Sequence, residues 1–368
     1  MIKKPTRPFL LRVLVGVLWT PIAAELFLRL FSPVPILPRY IEAGPHGIRA
    51  NSPDRVYRHK TPDYRVEIRT NAAGLRADQE FSLDKPDGVV RIAILGDSFG
   101  MGFGVNIEES SPFQLEKKLE VLEGCEIEIL NFSVSGFGAA EELIVLEEEA
   151  IQYQPDLVIQ YFTPSDPTDD LRSNLFKITA GGLTRASPTY LPAVKVRELL
   201  FSYAAYRWLA SESHLYSLVR ETAGEKTKAL LAKLRRLQSL WGPEKTTPEP
   251  EKHRGDGAES TLQGAQALTL SLLDRMREIA HSNSAEFLVL SIPRRMARDE
   301  FKDGFPRNDP FELPVVTPIP KFRNAGGEML YWERSDGHWT PLGCSRVAET
   351  LFDTIRERRL LPDSCRVD

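Results

Sequence analysis

Val89-Val-Arg-Ile-Ala-Ile-Leu-Gly96-Asp-Ser98-Phe-Gly100 is the stretch that decides the fold. A short, mostly apolar run closed by a glycine reads as a buried parallel strand, not as the alternating strand of a half-exposed sheet. Gly96 allows a tight turn. Ser98 then falls at the carboxyl edge of the sheet, where open α/β sheets take their ligands. A serine there can open a following helix and aim its own N–H at a developing oxyanion. It can equally be an ordinary helix N-cap.

Working outward, the rhythm repeats. Helix-like sequence from about Ser111 to Leu122 precedes a strand at Ile127 to Phe132. A Glu-rich helix at Ala139 to Tyr153 precedes a strand at Leu157 to Phe162. Strands alternating with helices at these distances mean βαβ units, an α/β fold and a parallel sheet covered on both faces. Residues of about 167–264 break the rhythm as an insertion. It has helical stretches at Val194 to Val219 and Lys226 to Leu240, then a Pro-, Gly- and charge-rich run with few apolar residues that reads as a disordered loop. The pattern resumes with a helix near Ala265 to Ser282, a strand at Phe287 to Ile292, a candidate last strand at Gly327 to Trp332 and a closing helix at Thr340 to Arg358. Upstream, residues of about 40–85 are polar and turn-rich, with extended structure and a turn at Asn71 to Gly74.

A second stretch carries chemistry: Ser335-Asp-Gly-His338-Trp-Thr-Pro-Leu-Gly343. A serine is a poor nucleophile until a base takes its proton. A histidine can do so, and a nearby carboxylate fixes its tautomer and steadies the imidazolium. Asp336 and His338 stand two apart on a loop before a helix, and Pro341 suits that helix's first turn.

The remaining composition excludes more than it suggests. Among 368 residues the net charge is -4, so no global basic field calls for nucleic acid. Cys125, Cys344 and Cys365 are too few and scattered for a zinc site or a disulfide framework; a bridge to Cys365 is open, but reduced cysteines are the plainer expectation. Gly100, Gly102 and Gly104 miss the dinucleotide spacing, and Asp166, Asp169 and Asp170 lack the Gly and Glu of a calcium loop. The histidines other than His338 are isolated. No cofactor and no metal are expected.

The N-terminus reads MIKKPTRPFLLRVLVGVLWTPIAAELFLRLF. Basic residues precede an apolar stretch whose uncharged centre, Val13 to Ala24, is short for a spanning helix; the stretch is long enough only if Arg12, Glu25 and Arg29 are tolerated. Signal anchor, cleaved signal and buried soluble helix compete. The length favours the anchor, with Pro33, Pro35 and Pro38 as a stiff stalk. The positive-inside rule then leaves the rest of the chain extracytoplasmic.

Gly96-Asp97-Ser98 after a strand, with a C-terminal Asp336-x-His338 before a helix, resembles the SGNH/GDSL hydrolases. More narrowly it resembles their bacterial membrane-anchored members, which carry an N-x-x-G-x-R stretch before the catalytic strand, here Asn71, Gly74 and Arg76. The resemblance covers about residues 65–165 and 285–355. It implies a three-layer α/β/α, flavodoxin-like domain over residues 89–368, after a transmembrane helix in 1–35 and a lead-in segment in 36–88. It implies a Ser98–His338–Asp336 triad and an oxyanion hole built from the Ser98 N–H, the Gly136 N–H and a side chain after the third strand. The family has asparagine at that last place; this chain has Ser165. The implied reaction is hydrolysis or transfer of an ester acyl group, with O-acylated extracytoplasmic carbohydrate as the implied partner and the inner membrane as the location. The departure at Ser165 keeps open a second expectation, a degenerate member that binds or assembles surface polysaccharide. Oligomeric state is not legible.

Overall fold

The computed structural model describes residues 7–365 except 33, 35, 37–40, 123, 192–198, 201, 221, 223–255, 299 and 336. The first elements are α1 (Arg7–Phe31) and two antiparallel pairs, β1 (Ile41–Ala43) with β2 (Arg49–Asn51) and β3 (Arg55–Lys60) with β4 (Arg65–Thr70). There follow β5 (Val89–Leu95), α2 (Ser111–Leu119), β6 (Glu126–Asn131), α3 (Ala139–Glu148), β7 (Leu157–Phe162) and α4 (Asp166–Ser173). The hairpin of β8 (Phe176–Thr179) and β9 (Gly182–Arg185) leads to α5 (Ala204–Glu212) and α6 (Asp256–Ser282). The remainder is β10 (Glu286–Ser291), the pair β11 (Arg294–Ala297) and β12 (Glu300–Lys302), β13 (Val315–Val316), α7 (Ile319–Arg323) and α8 (Pro341–Arg358).

Five strands make one parallel sheet in the order β13-β10-β7-β5-β6. Taken in chain order this is 2-1-3-4-5, the flavodoxin-like arrangement, and the order reverses between β5 and β7. Period-two alternation sorts the side chains. Ala93, Leu95, Leu130, Val158 and Val289 face Leu143 and Leu146 of α3 and Leu272 and Met276 of α6. Ile92, Ile94, Ile129, Ile159 and Leu290 face Leu115 and Leu119 of α2 and Val347 and Leu351 of α8. Every residue of β5 is buried, Arg91 included. Its guanidinium is tolerated because it is partnered: Nε donates to Glu128 at 2.7 Å and Nη1 to the carbonyls of Tyr153 and Leu83 at 2.9 and 3.2 Å.

Several sequence expectations are corrected. Gly327 to Trp332 is not a sheet strand; Tyr331 makes only an isolated bridge with Trp339, and the fifth strand is the two-residue β13. Ser98 does not open a helix. It stands in a run of turns, and α2 starts later, capped at Ser110. The helix expected at Ala265 begins at Asp256, while the expected helix at Lys226 to Leu240 lies outside the described residues. Cys125 and Cys365 are disulfide-bonded, with Cα atoms 5.3 Å apart, and Cys344 is free and buried.

The N-terminal helix forms, but no helix among the described residues is long and apolar enough to cross a membrane. Charges interrupt α1, Pro21 lies within it, and Glu25 is engaged with protein. The Glu25 carboxylate accepts from the N–H groups of His214 and Leu215 at 3.1 and 2.8 Å and from Ser213 Oγ at 2.9 Å. It thereby caps the helical residues 214–220 of the insertion from outside. The prolines of the expected stalk lie outside the described residues.

Candidate active site

Two segments from opposite ends of the sequence meet above the reversal point of the sheet. The first is the turn after β5. Gly96 is required there because a Cβ would stand 2.9 Å from Tyr161 Cβ on β7. Asp97 is buried, and its Oδ1 accepts the N–H of Phe99 at 2.8 Å. The turn is then held from the lead-in segment. Arg76, itself buried, donates to the carbonyls of Met101 and Gly102, and to that of Val105 at 2.6 Å. This gives the Asn71-x-x-Gly74-x-Arg76 stretch a physical role. Asn71 Oδ1 accepts the N–H groups of Ala73 and Leu75, Gly74 adopts a φ of 75° that side chains resist, and the turn so made delivers Arg76 beneath the serine loop.

The second segment is the loop 330–340. It is tied at its base by Trp332 N–H to the His338 carbonyl at 2.8 Å and Thr340 N–H to the Leu330 carbonyl at 2.9 Å. Thr340 caps α8, accepting from the N–H of Gly343, with Pro341 in the first turn. The imidazole of His338 lies between Phe99 and Phe103, ring centres 4.9 and 5.0 Å away. His338 Nε2 is 2.7 Å from Ser98 Oγ. The two residues that the sequence singles out 240 positions apart are therefore within hydrogen-bonding reach. Asp336 lies outside the described residues.

The other expected site residues stand as follows. Gly136 follows β6 with a φ of 82°. Its carbonyl accepts from Arg49 Nη2 at 2.5 Å, and Arg49 also pairs with Glu141 at 2.7 Å. Ser165 follows β7 and is exposed, its Oγ 3.1 Å from Thr163 Oγ1. Thr163 also donates its N–H to Asp166 at 2.9 Å, and Arg294 Nη2 donates to the Pro164 carbonyl at 3.1 Å. The acids tested as a calcium loop have other work. Asp169 pairs with Arg172 at 2.6 Å, and Asp170 accepts the N–H of Ala140 at 2.8 Å and the hydroxyl of Thr269. Among the described residues, no group of His, Cys, Asp and Glu is arranged to hold a metal.

Burial governs the electrostatics under this edge. It pushes Asp97 up to about 6, against the Phe99 N–H and His338, which act to lower it. It pushes Asp170 up to about 7, and raises Glu142 and Asp166 well above the ordinary carboxylate value, helped in both by the negative charge of Asp97 and Asp170. A group of acids that resists ionisation thus lies behind the serine edge.

Sequence reasoning missed the buttress of the histidine loop. Ser335 Oγ is 2.9 Å from Asp63 Oδ2 and 2.8 Å from Thr61 Oγ1, and Arg334 donates its N–H to Asp63 at 2.7 Å. Thr61-Pro62-Asp63 is a turn signal, which was legible; that the turn reaches about 270 residues ahead was not. His59 was also missed. It is fully buried, its ring 4.4 Å from Phe103, the residue that backs His338.

No family model matches this sequence, and no curated protein matches it. Solved structures do. A lipase/acylhydrolase from Enterococcus faecalis is 12% identical, with 73% of this chain and 96% of that one covered and a TM-score of 0.37. A psychrotrophic esterase from Pseudoalteromonas is 13% identical, with 73% and 98% covered and a TM-score of 0.36. A two-domain esterase active on acetylated mannans is 11% identical, with 76% and 52% covered and a TM-score of 0.37. At that distance the likeness says nothing of what this chain acts on. In its own strand order, its Gly96-Asp97-Ser98 turn and the meeting of Ser98 with His338, the chain resembles the SGNH/GDSL hydrolases.

Proposed function

We propose that the chain is a serine-dependent esterase or O-acyltransferase with Ser98 as nucleophile, His338 as general base and Asp336 as the carboxylate that orients it. The observation that carries the proposal is the 2.7 Å separation of Ser98 Oγ and His338 Nε2. As Oγ attacks an ester carbonyl, its proton passes to Nε2. The tetrahedral oxyanion is held by the Ser98 and Gly136 N–H groups and the Ser165 hydroxyl. Collapse expels the alcohol, which takes the proton from His338. Water or a sugar hydroxyl, deprotonated by His338, then attacks the acyl-Ser98, and collapse returns that proton from His338 to Ser98 Oγ as the acid or the transferred ester leaves. Hydrolysis of p-nitrophenyl acetate by the full chain tests this. Ser98→Ala is expected to lower kcat by a factor of about 10³ or more. Equal rates in wild type and variant would remove the enzymatic reading.

The substrate class we propose is O-acyl groups on an extracytoplasmic carbohydrate, with the chain tethered to the inner membrane by α1. Two features support this setting. Trp19, Ile22, Leu26, Phe27, Leu30 and Phe31 of α1 are exposed, and Cys125–Cys365 suits an oxidising compartment. Membrane fractionation with protease protection tests the location, and acetate release from an O-acetylated polysaccharide tests the substrate. The exposed Ser165, where the resembling family has asparagine, favours a second reading: a polysaccharide-binding protein on a degenerate esterase fold. Binding of the polysaccharide by Ser98→Ala together with no turnover by wild type would select it.

A further inference from the structure

Between the end of α1, the tip of the β3–β4 hairpin and the loop bearing His338 lies a cleft of about 430 Å³. Arg29, Lys60, Arg65, Arg334 and His214 line it, and Asp63 is the one carboxylate among its described lining residues. That carboxylate is already committed to the Arg334 N–H and Ser335 hydroxyl. Arg29 is paired with Glu25 at 2.7 Å. Lys60 and Arg65 have no acidic partner among the described residues, and they stand directly opposite each other in the hairpin register. Like charges placed so destabilise a strand pair. The neighbouring pair shows the ordinary solution, since Arg58 faces Glu67 across the same two strands. Asp63, in the hairpin turn, also stands 4.0 Å from the Arg334 guanidinium, so the counter-charge the tip supplies is taken up by Arg334 and leaves Lys60 and Arg65 unmatched.

We propose that this cleft binds a phosphate-class anion, with the Lys60 ammonium and the Arg65 guanidinium as its principal donors and Arg334 at its rim. An ammonium and a guanidinium fork lining one cleft suit tetrahedral oxyanions. Relief of the Lys60–Arg65 repulsion adds to the binding. Free phosphate and an anionic lipid headgroup share this chemistry. The cleft's place at the end of the apolar α1 makes the headgroup a natural source. Anion binding here stands apart from the esterase reading and does not need it.

Calorimetric titration of the full chain with inorganic phosphate at constant ionic strength tests it, beside sedimentation with phosphatidylglycerol and phosphatidylcholine vesicles. The double variant Lys60→Gln, Arg65→Gln is compared with a charge-matched control, Lys177→Gln, Lys302→Gln, both sites being exposed and neither lining the cleft. Saturable phosphate binding weakened at least tenfold in the first variant and unchanged in the second is the expected result. If phosphatidylglycerol vesicles also lose the first variant, and phosphate competes with them, a headgroup is the source. Vesicle binding equal in both variants assigns free phosphate. No saturable phosphate binding and no preference for phosphatidylglycerol in wild type, or equal phosphate binding by both variants, overturns the proposal. Thermal unfolding guards against a folding defect, and Lys60→Gln alone replaces the double variant should that unfold.

Discussion

Ser98 and His338 are legible at the residue scale because chemistry constrains both their type and their neighbours: a serine closing a buried strand, an Asp-x-His before a helix. Ser165 is legible as a departure, and it makes a sharp test. Thr163 holds its hydroxyl at 3.1 Å, so this donor is shorter than an amide and partly engaged. On the esterase reading, Ser165→Asn is expected to raise kcat on p-nitrophenyl acetate by a factor approaching about 10², the scale of one oxyanion donor. An unchanged or lower kcat would show that the hole is completed by another group. The contacts of Ser335 with Thr61 and Asp63 yield a second test. They steady the histidine loop from the lead-in segment, three residues before His338. Ser335→Ala is therefore expected to lower kcat about tenfold or more while KM moves little, since small misplacements of a base are costly. Ser335→Thr, which keeps the hydroxyl, should recover much of the loss. Failure of that rescue points to packing instead.

Elements were readable where periodicity and length agree. The strands ending at Leu95, Asn131 and Phe162 are largely buried and read as apolar runs. Misreadings arose where tertiary contacts override pattern. The run Met329-Leu-Tyr-Trp332 looks like a strand, yet it is bound to its own loop and to Gly104, whose carbonyl accepts from Trp332 Nε1 at 3.0 Å. β13 has two residues and no pattern to find. At this scale Asp170 joins three helices: it sits on α4, accepts the first-turn N–H of Ala140 on α3 and is bonded to Thr269 on α6. Its proton is retained up to about 7 when folded but is lost near the ordinary value of 3.8 when unfolded. Between those values the folded state binds a proton that the unfolded state does not. Stability from this group therefore falls as pH rises through that window, by about 1.4 kcal/mol for each pH unit crossed. Asp170→Asn cannot ionise and can keep both contacts. Urea denaturation of the variant should show a shallower decline between about pH 4 and 8, with its largest gain over wild type at the upper end. Parallel curves would mean that Asp170 is ionised in the folded protein.

The whole molecule is where the sequence was least legible, because its ties are long-range. Nothing near Cys125 or Cys365 announces the bridge, which closes a loop across 240 positions. A cross-link of that span removes much of the unfolded chain's freedom, and its loss is expected to cost up to about 5 kcal/mol. Chemical denaturation with and without reductant, beside Cys125→Ser, measures it; a reductant effect that persists in Cys125→Ser would assign the change to something else. The insertion is likewise attached by a part-buried handle, Glu25 on the helical residues 214–220, which no local pattern foretells.

The lead-in segment looked like a preface to a catalytic domain opening at Val89. Its residues do otherwise: Arg76 grips the serine turn, Arg49 the glycine turn, Thr61 and Asp63 the histidine loop. The walls around the reaction centre are thus partly borrowed from sequence upstream of the sheet. A shortened protein starting at Val89 would lose the hydrogen bonds of Arg49, Thr61, Asp63 and Arg76 that hold its working loops.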